Sequence, residues 1–257
     1  MLHGFPDLWQ GWQQQIPVLA EAGFRTIAPN QRGYGGSDKP LGISSYDLDE
    51  LAQDVIDLAD HLDAASVQLV GHDWGGIIAY WVAARWPERV ARLAILNAPH
   101  PGVFWRYLRR SPTQIARSWY AAFFQAPWLP EAILRWGSHE LLFRSVQWTS
   151  PRGVFGANDR SYLTEGWSQP GSLTAMLNYY RAAARRTESS LQLRVTVPTL
   201  ILFGCQDPVE EPGLATASQA LCDDSRLVWL PEAGHWIQRE ASGKVNEELL
   251  RFLVREN

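Results

Sequence analysis

The feature that most narrows what this chain can fold into is the stretch from Val67 to Gly76, VQLVGHDWGG. A short apolar, β-rich run stops at Gly71-His72-Asp73-Trp74-Gly75 and passes directly into the apolar, Ala-rich IIAYWVAARW. The pattern is strand, tight turn, helix, with one acid held at the break, as in a nucleophile elbow where Asp stands in the usual place of Ser. The flanking glycines permit the strained turn and the close approach of strand to helix. The unpaired N–H groups and positive dipole end of the helix from Trp74 favour an ionised carboxylate at Asp73. An Asp that merely caps an ordinary helix would look the same, so the rest of the chain has to discriminate.

At 257 residues the chain can bury one α/β core plus an insertion, since chains of this size bury about 75% of their extended surface. A net charge of -4 leaves no basic footprint and argues against nucleic acid as a partner. Local arginine clusters, at Arg106, Arg109 and Arg110 and at Arg185 and Arg186, read as solvated helix faces. Cys205 and Cys222 cannot make a disulfide framework and show no zinc spacing, so reduced thiols in a cytoplasmic protein are expected. No run reaches membrane-spanning length and no signal pattern opens the chain, so no membrane partner is expected. Of thirteen tryptophans, Trp105, Trp119, Trp128, Trp136, Trp148 and Trp167 lie between residues 100 and 170. An aromatic-lined cavity under a lid would use them, as would plain core packing.

Along the chain, MLHGFP at residues 1–6 is a tight Gly/Pro turn, followed by the helical spacing of Trp12, Ile16, Leu19 and Ala20 and a short strand at Phe24 to Ala28. PNQRGYGGSDKP at 29–40 is loop. A helix follows over Tyr46 to Leu62, then the Val67 strand, a helix from Trp74 to Trp86 ended by Pro87, and a strand at Val90 to Leu96. Such alternation implies a parallel sheet covered on both faces. It stops after Asn97-Ala98-Pro99, and the Trp-, Arg- and Pro-rich residues up to about 190 show only helical periodicity. It resumes with a strand at Thr199 to Gly204, a helix near Gly213 to Leu221, a strand at Arg226 to Leu230 and a helix from about Gln238 to Val254. The expected architecture is a core of residues 1–97 and 191–257 with a helical cap, 98–190, inserted in it.

A nucleophile on such an elbow works with an acid and then a histidine later in the chain. Asp207 follows the TLILFG strand in Gly204-Cys205-Gln206-Asp207-Pro208, and His235 lies on the Gly-marked loop after the final strand. A lone histidine there would read as an ordinary surface residue; three roles in the right order on the right loops point instead to a triad. His61, His100 and His139 have no such context, and His72 reads as support for the turn. A carboxylate, with an ordinary pKa of about 3.9, attacks without a base. Its natural target is a saturated carbon bearing a leaving group. The product is an ester of Asp73, which water activated by His235 and Asp207 can hydrolyse. The backbone N–H groups of Phe5 and Trp74 would supply the oxyanion hole. A halide or an epoxide oxygen fits as leaving group; the second develops a basic alkoxide that tyrosines can protonate.

Together HGFP at 3–6, RGYGGSDKP at 32–40, GHDWGG at 71–76, NAPHP at 97–101, Asp207 and His235 resemble the α/β-hydrolase-fold epoxide hydrolases, over nearly the whole chain and least in the cap. The resemblance implies two cap tyrosines above Asp73 that bind the epoxide oxygen. Tyr120, in Tyr120-Ala121-Ala122-Phe123-Phe124-Gln125, and Tyr180, in Asn178-Tyr179-Tyr180-Arg181, match that family's patterns, with Tyr179 as packing. It further implies a hydrolase acting on ether bonds, converting a small apolar epoxide and water to a vicinal diol, with no metal or organic cofactor, as a monomer or homodimer. Haloalkane dehalogenases share GHDWGG and are the alternative; Phe5 stands where they offer a halide donor. Fluoroacetate dehalogenases carry arginines where this chain has Trp74 and Ile77. An inactive or ligand-binding relative is a further alternative, opposed by three competent triad positions. Two departures stand out. In the family an apolar strand precedes the HG motif, and here only Met1 and Leu2 do, so a truncated or mis-started chain is expected, with unpaired backbone on the Phe24 and Val67 strands. The other, Asn30-Gln31 before Arg32 where relatives commonly carry Asp, has no consequence derivable from sequence.

Overall fold

A computed structural model describes residues 1–186 and 193–254. The first elements are α1 (Ile16–Glu21), α2 (Leu48–His61), β1 (Val67–His72), α3 (Trp74–Arg85) and β2 (Val90–Leu96). Helices alone follow, α4 (Pro101–Leu108), α5 (Pro112–Arg117), α6 (Trp119–Phe123), α7 (Leu129–Trp148), α8 (Ala157–Trp167) and α9 (Ser172–Ala183). The chain then returns through β3 (Thr199–Gly204), α10 (Pro212–Gln219), β4 (Ser225–Leu230), α11 (Ile237–Glu240) and α12 (Ser242–Leu253). The four strands are parallel in the order β1-β2-β3-β4, so the α/β class and the strands at Val67, Val90, Thr199 and Arg226 are as the periodicity predicts. The expected boundary between cap and core at 190/191 lies outside the described residues.

The sheet is buried on both sides because alternate residues of each strand serve different layers. Leu69, Leu93 and Ile95 join α2 and α3 in one core, while Val70, Ala94, Leu96, Leu200 and Leu202 meet Trp12, Leu19, Val245 and Leu249 in another. The helix α3 is apolar all round and almost wholly buried, as a helix packed between the sheet and neighbouring helices must be. None of the helices among the described residues is long and apolar enough to cross a membrane.

Four expectations need correction. Phe24 to Ala28 forms no strand: a strand needs a ladder partner, and the neighbouring chain offers only Met1, whose amino group donates to the Ile27 carbonyl at 2.7 Å, and Leu2. Leu2 contributes a single parallel rung to β1, donating to the Val70 carbonyl at 2.8 Å and accepting from the His72 amide at 3.0 Å. The first helix begins at Ile16 rather than Trp12, because Pro17 lacks an N–H and fits only the first helical turn. The last helix is split at Ala241, whose φ of -130° is not helical. Arg186 is no solvated side chain: it pairs with Asp47 and Asp49 and lies 4.6 Å from the centre of the Trp81 ring.

The tryptophans between residues 100 and 170 divide in two. Trp167 is buried and donates to the Pro6 carbonyl at 2.6 Å, whereas Trp128 and Trp136 are 73% and 78% exposed. Trp136 opens a break within α7 that runs to His139, with left-handed φ at Gly137, Ser138 and His139. Among these helices, buried Arg181 on α9 makes a two-pronged ion pair with Glu131 (2.7 and 3.1 Å) and donates to the Phe124 and Ala126 carbonyls. It thereby ties α9 to the segment that carries Tyr120.

At Gly75 the first turn of α3 meets the turn after Leu2: a Cβ there would lie 2.3 Å from the Leu2 carbonyl oxygen and 2.5 Å from that of His3. Gly75→Ala is therefore expected to destabilise the protein by about 1–3 kcal/mol despite alanine's better helix propensity. A fall in the denaturant midpoint checks this, and an unchanged midpoint contradicts it.

Candidate active site

Asp73 follows β1 with φ 49° and ψ -123°, a strained conformation for a residue with a side chain. The turn is held by its amide, which faces the Leu96 and Asn97 carbonyls at 3.3 and 3.2 Å. The strain lifts the carboxylate off the sheet into a buried position. There Oδ1 accepts from the Phe5 amide at 2.6 Å, and the Trp74 amide also bonds the carboxylate. The sequence leads one to expect an ionised group favoured by the helix. Burial opposes this and is the largest influence, raising the pKa; the charge of His235 and the two amides pull it back.

Asp207 and His235 come together as their order along the chain predicts. His235 Nδ1 donates to Asp207 Oδ2 at 2.9 Å, and both side chains are buried. The carboxylate is saturated with donors: Asn97 Nδ2 reaches Oδ2 at 2.5 Å, and the amides of Val209 and Glu210 reach Oδ1 at 2.6 and 3.0 Å. Burial pushes the Asp207 carboxyl up, but the charge and hydrogen bond of His235 and the Asn97 amide outweigh it and hold it below the usual range. For His235, burial pulls downward, yet the charge and hydrogen bond of Asp207, then the charge of Asp73, raise it from 6.5 to about 9. His72 supports more than the turn: its Nε2 donates to the His235 carbonyl at 2.9 Å, and its ring lies 4.9 Å from that of His235.

Tyr120 and Tyr180 meet edge to face above this floor, ring centres 5.8 Å apart. Tyr180 also packs on Phe5 and Trp74 at 5.2 and 5.1 Å. Burial first, and the Asp73 charge among further causes, push both phenols well above their ordinary pKa, so both keep their protons. The neighbouring Tyr179 turns away and donates to the Arg32 carbonyl at 2.7 Å. Two cavities share Asp73, Trp119, Tyr120 and Tyr180 as walls: one of 620 Å³ that includes Trp74, Trp105 and Glu210, and one of 340 Å³ that includes Phe5, Trp148 and His235. A larger space of 830 Å³, between the 29–40 loop and α2, touches none of Asp73, Asp207 and His235.

Several residues that matter here carry no signal from spacing alone. Asn97, in the left-handed region at φ 37°, bonds Asp207 and the Gly234 carbonyl and accepts from Gly204, so it joins three loops. Its place in NAPHP was the available hint. Gln31 explains the Asn30-Gln31 departure: its side chain donates to the His3 carbonyl at 2.5 Å and its amide donates to His3 Nε2 at 3.1 Å, fixing the loop that aims the Phe5 N–H. Glu240 accepts from the amides of Gly234 and Trp236 on either side of His235. Glu210 is buried beside the triad.

Comparison with known proteins agrees with this geometry. The family described as alpha/beta hydrolase fold matches residues 1–242. The AB hydrolase superfamily protein YfhM of Bacillus subtilis is 40% identical over 98% of this chain and 88% of its own length. Epoxide hydrolase 4 of Homo sapiens is 36% identical over 100% of this chain and 72% of its own. Among solved structures, that of a Bacillus megaterium epoxide hydrolase in complex with an inhibitor superposes with a TM-score of 0.91 and 32% identity, over 99% of this chain and 92% of that one.

Because the folded His235 value of about 9 exceeds the unfolded value of 6.5, the stability from its protonated form is complete below pH 6.5 and is lost as the pH rises through about 9. Asp207→Asn removes the largest upward influence and leaves the burial. The expected result in an NMR titration is a His235 pKa well below 9; an unchanged value would mean that Asp207 does not control it.

Proposed function

Since the chain belongs to the α/β-hydrolase-fold epoxide hydrolases, hydrolases that act on ether bonds, we propose that it converts an epoxide to a vicinal diol through an alkyl ester of Asp73. The observation that carries this reading is one buried carboxylate, bonded by the Phe5 and Trp74 amides, under two protonated phenols. Oδ1 is held by the Phe5 N–H, so Oδ2 attacks the less hindered epoxide carbon. Tyr120 or Tyr180 gives its proton to the departing oxygen as the C–O bond breaks. His235 enters protonated and returns a proton to that tyrosine, which leaves His235 neutral. It then takes a proton from water as the water attacks the ester carbonyl. The oxyanion on Oδ1 is met by the Phe5 and Trp74 amides, and collapse releases the diol with the proton from His235. The acid proton left on Asp73 passes to His235, which restores the starting state. Asp207 orients and charges His235 throughout. On this reading the helices from α4 to α9 act as a cap that carries the tyrosines and shapes the cavity.

The two tyrosines favour epoxide over halide, because a halide leaves as a stable anion and gains nothing from a proton. Single turnover of styrene oxide in oxygen-18 water is expected to give a diol whose new oxygen is unlabelled, having come from Asp73. A labelled diol in the first turnover would rule out the ester. Tyr120→Phe and Tyr180→Phe are each expected to lower kcat/KM by about 10²–10⁴-fold. Halide release from a bromoalkane without turnover of styrene oxide would favour the dehalogenase reading instead, and unchanged kcat/KM in the double variant would remove the case that the tyrosines make for epoxide.

A further inference from the structure

Beside the triad, one ionisable group is placed against the cavity with nothing to bind. Glu210 is 5% exposed, lines the 620 Å³ cavity together with Asp73, Trp74, Tyr120 and Tyr180, and its Oε2 meets no hydrogen-bond partner among the described residues. Its backbone is committed elsewhere: the amide donates to Asp207 Oδ1 at 3.0 Å and the carbonyl accepts from Arg117 at 2.9 Å. The side chain is thus held by the same loop that holds the triad acid. Buried polar atoms in folded proteins are almost always paired, and a carboxyl with an unpaired oxygen, on a residue that lines a cavity, asks what pairs it.

We propose that Glu210 is a substrate subsite that hydrogen-bonds a hydroxyl on the substituent of the epoxide, so that epoxy alcohols are preferred to epoxyalkanes of the same size. This deepens the epoxide reading above and rests on it. Burial, and then the charges of Asp207 and Asp73, push the Glu210 carboxyl well above the usual carboxylate range, which leaves a neutral acid in the wall. Such a group has one O–H to give and one carbonyl oxygen to receive, and a hydroxyl can satisfy both. The adjoining wall of Phe104, Trp105, Leu108 and Ile115 suits the hydrocarbon spacer between that hydroxyl and the ring. A site that bonds a substrate hydroxyl rejects the analogue lacking it far more strongly than an apolar pocket rejects a missing methylene.

The test compares kcat/KM for ω-hydroxy-1,2-epoxyalkanes of increasing spacer length with the 1,2-epoxyalkanes in which methyl replaces the hydroxyl. The wild-type protein is expected to prefer the hydroxylated member by about tenfold or more at one spacer length or several. Glu210→Gln, whose amide both donates and accepts, is expected to keep the preference. Glu210→Leu, which replaces an unpaired acid with an apolar group, is expected to abolish or reverse the preference, read as the ratio of kcat/KM between the two members; its thermal midpoint checks that it folds. Absence of preference at every length, or equal loss on both members in Glu210→Leu, overturns the subsite and leaves the epoxide reading intact. Turnover of neither member by the wild-type protein overturns both.

Discussion

Everything in this site depends on burying one carboxylate. An ionised carboxyl taken out of water is costly unless it is bonded and balanced by charge, and the fold answers that cost with backbone. The strained turn at Asp73 points the group away from the sheet, the Phe5 amide bonds Oδ1 at 2.6 Å, and His235 supplies opposite charge. None of these is local to the others. Phe5 is aimed by a loop that Gln31 pins through His3, and His235 sits on a loop that Glu240 pins from both sides. The strand-to-helix turn can stay sharp only because Gly75 lets α3 press against the Leu2 and His3 carbonyls.

Similar contacts join the helices between β2 and β3 to the loops of the sheet. Arg117 on α5 donates to the Asp207 and Glu210 carbonyls, and Trp236, next to His235, donates to Thr149 just after α7. Arg239 on α11 reaches both Asp7 and Asp159. Ion pairs this well buried contribute less to stability than their number suggests, because desolvation offsets much of the attraction. Their value here is positional: they tie α11, next to His235, to α8 and to the loop at Asp7.

What could be read from sequence was whatever is repeated locally or ordered along the chain. The alternation in β1 to β4, the elbow glycines and the sequence Asp73, Asp207, His235 all survive in the structure, since each depends on neighbouring residues or on a chain order that the fold imposes. Phe24 to Ala28 did not become a strand, because pairing is a property of two segments and, among the described residues, the stretch at Leu2 that could join it to β1 makes one isolated bridge, to Gly71. The break at Trp136–His139 and the exposed Trp128 and Trp136 were hidden because helical periodicity does not record which helix face finds a partner. Asn97 and Glu210 were hidden for the same reason in sharper form. Asn97 bonds a residue 110 positions away, and Glu210 is notable only for what its side chain fails to touch.

On the proposed route, electrostatics also sets the order of the two steps. While Asp73 is anionic, its charge helps hold His235 protonated, at a pKa near 9, and a protonated imidazole cannot take a proton from water. Esterification neutralises Asp73 and removes one of the influences that raise His235, while burial still draws its pKa down. The base is thus weakest as an acid trap when there is no ester to hydrolyse and becomes available once there is. A glutamate at position 207 or a neutral residue at 73 would blur that sequence, because the first moves the acid that orients the ring and the second removes the charge whose loss does the switching. The buried carboxylate is therefore both the attacking group and the signal that its own attack is complete.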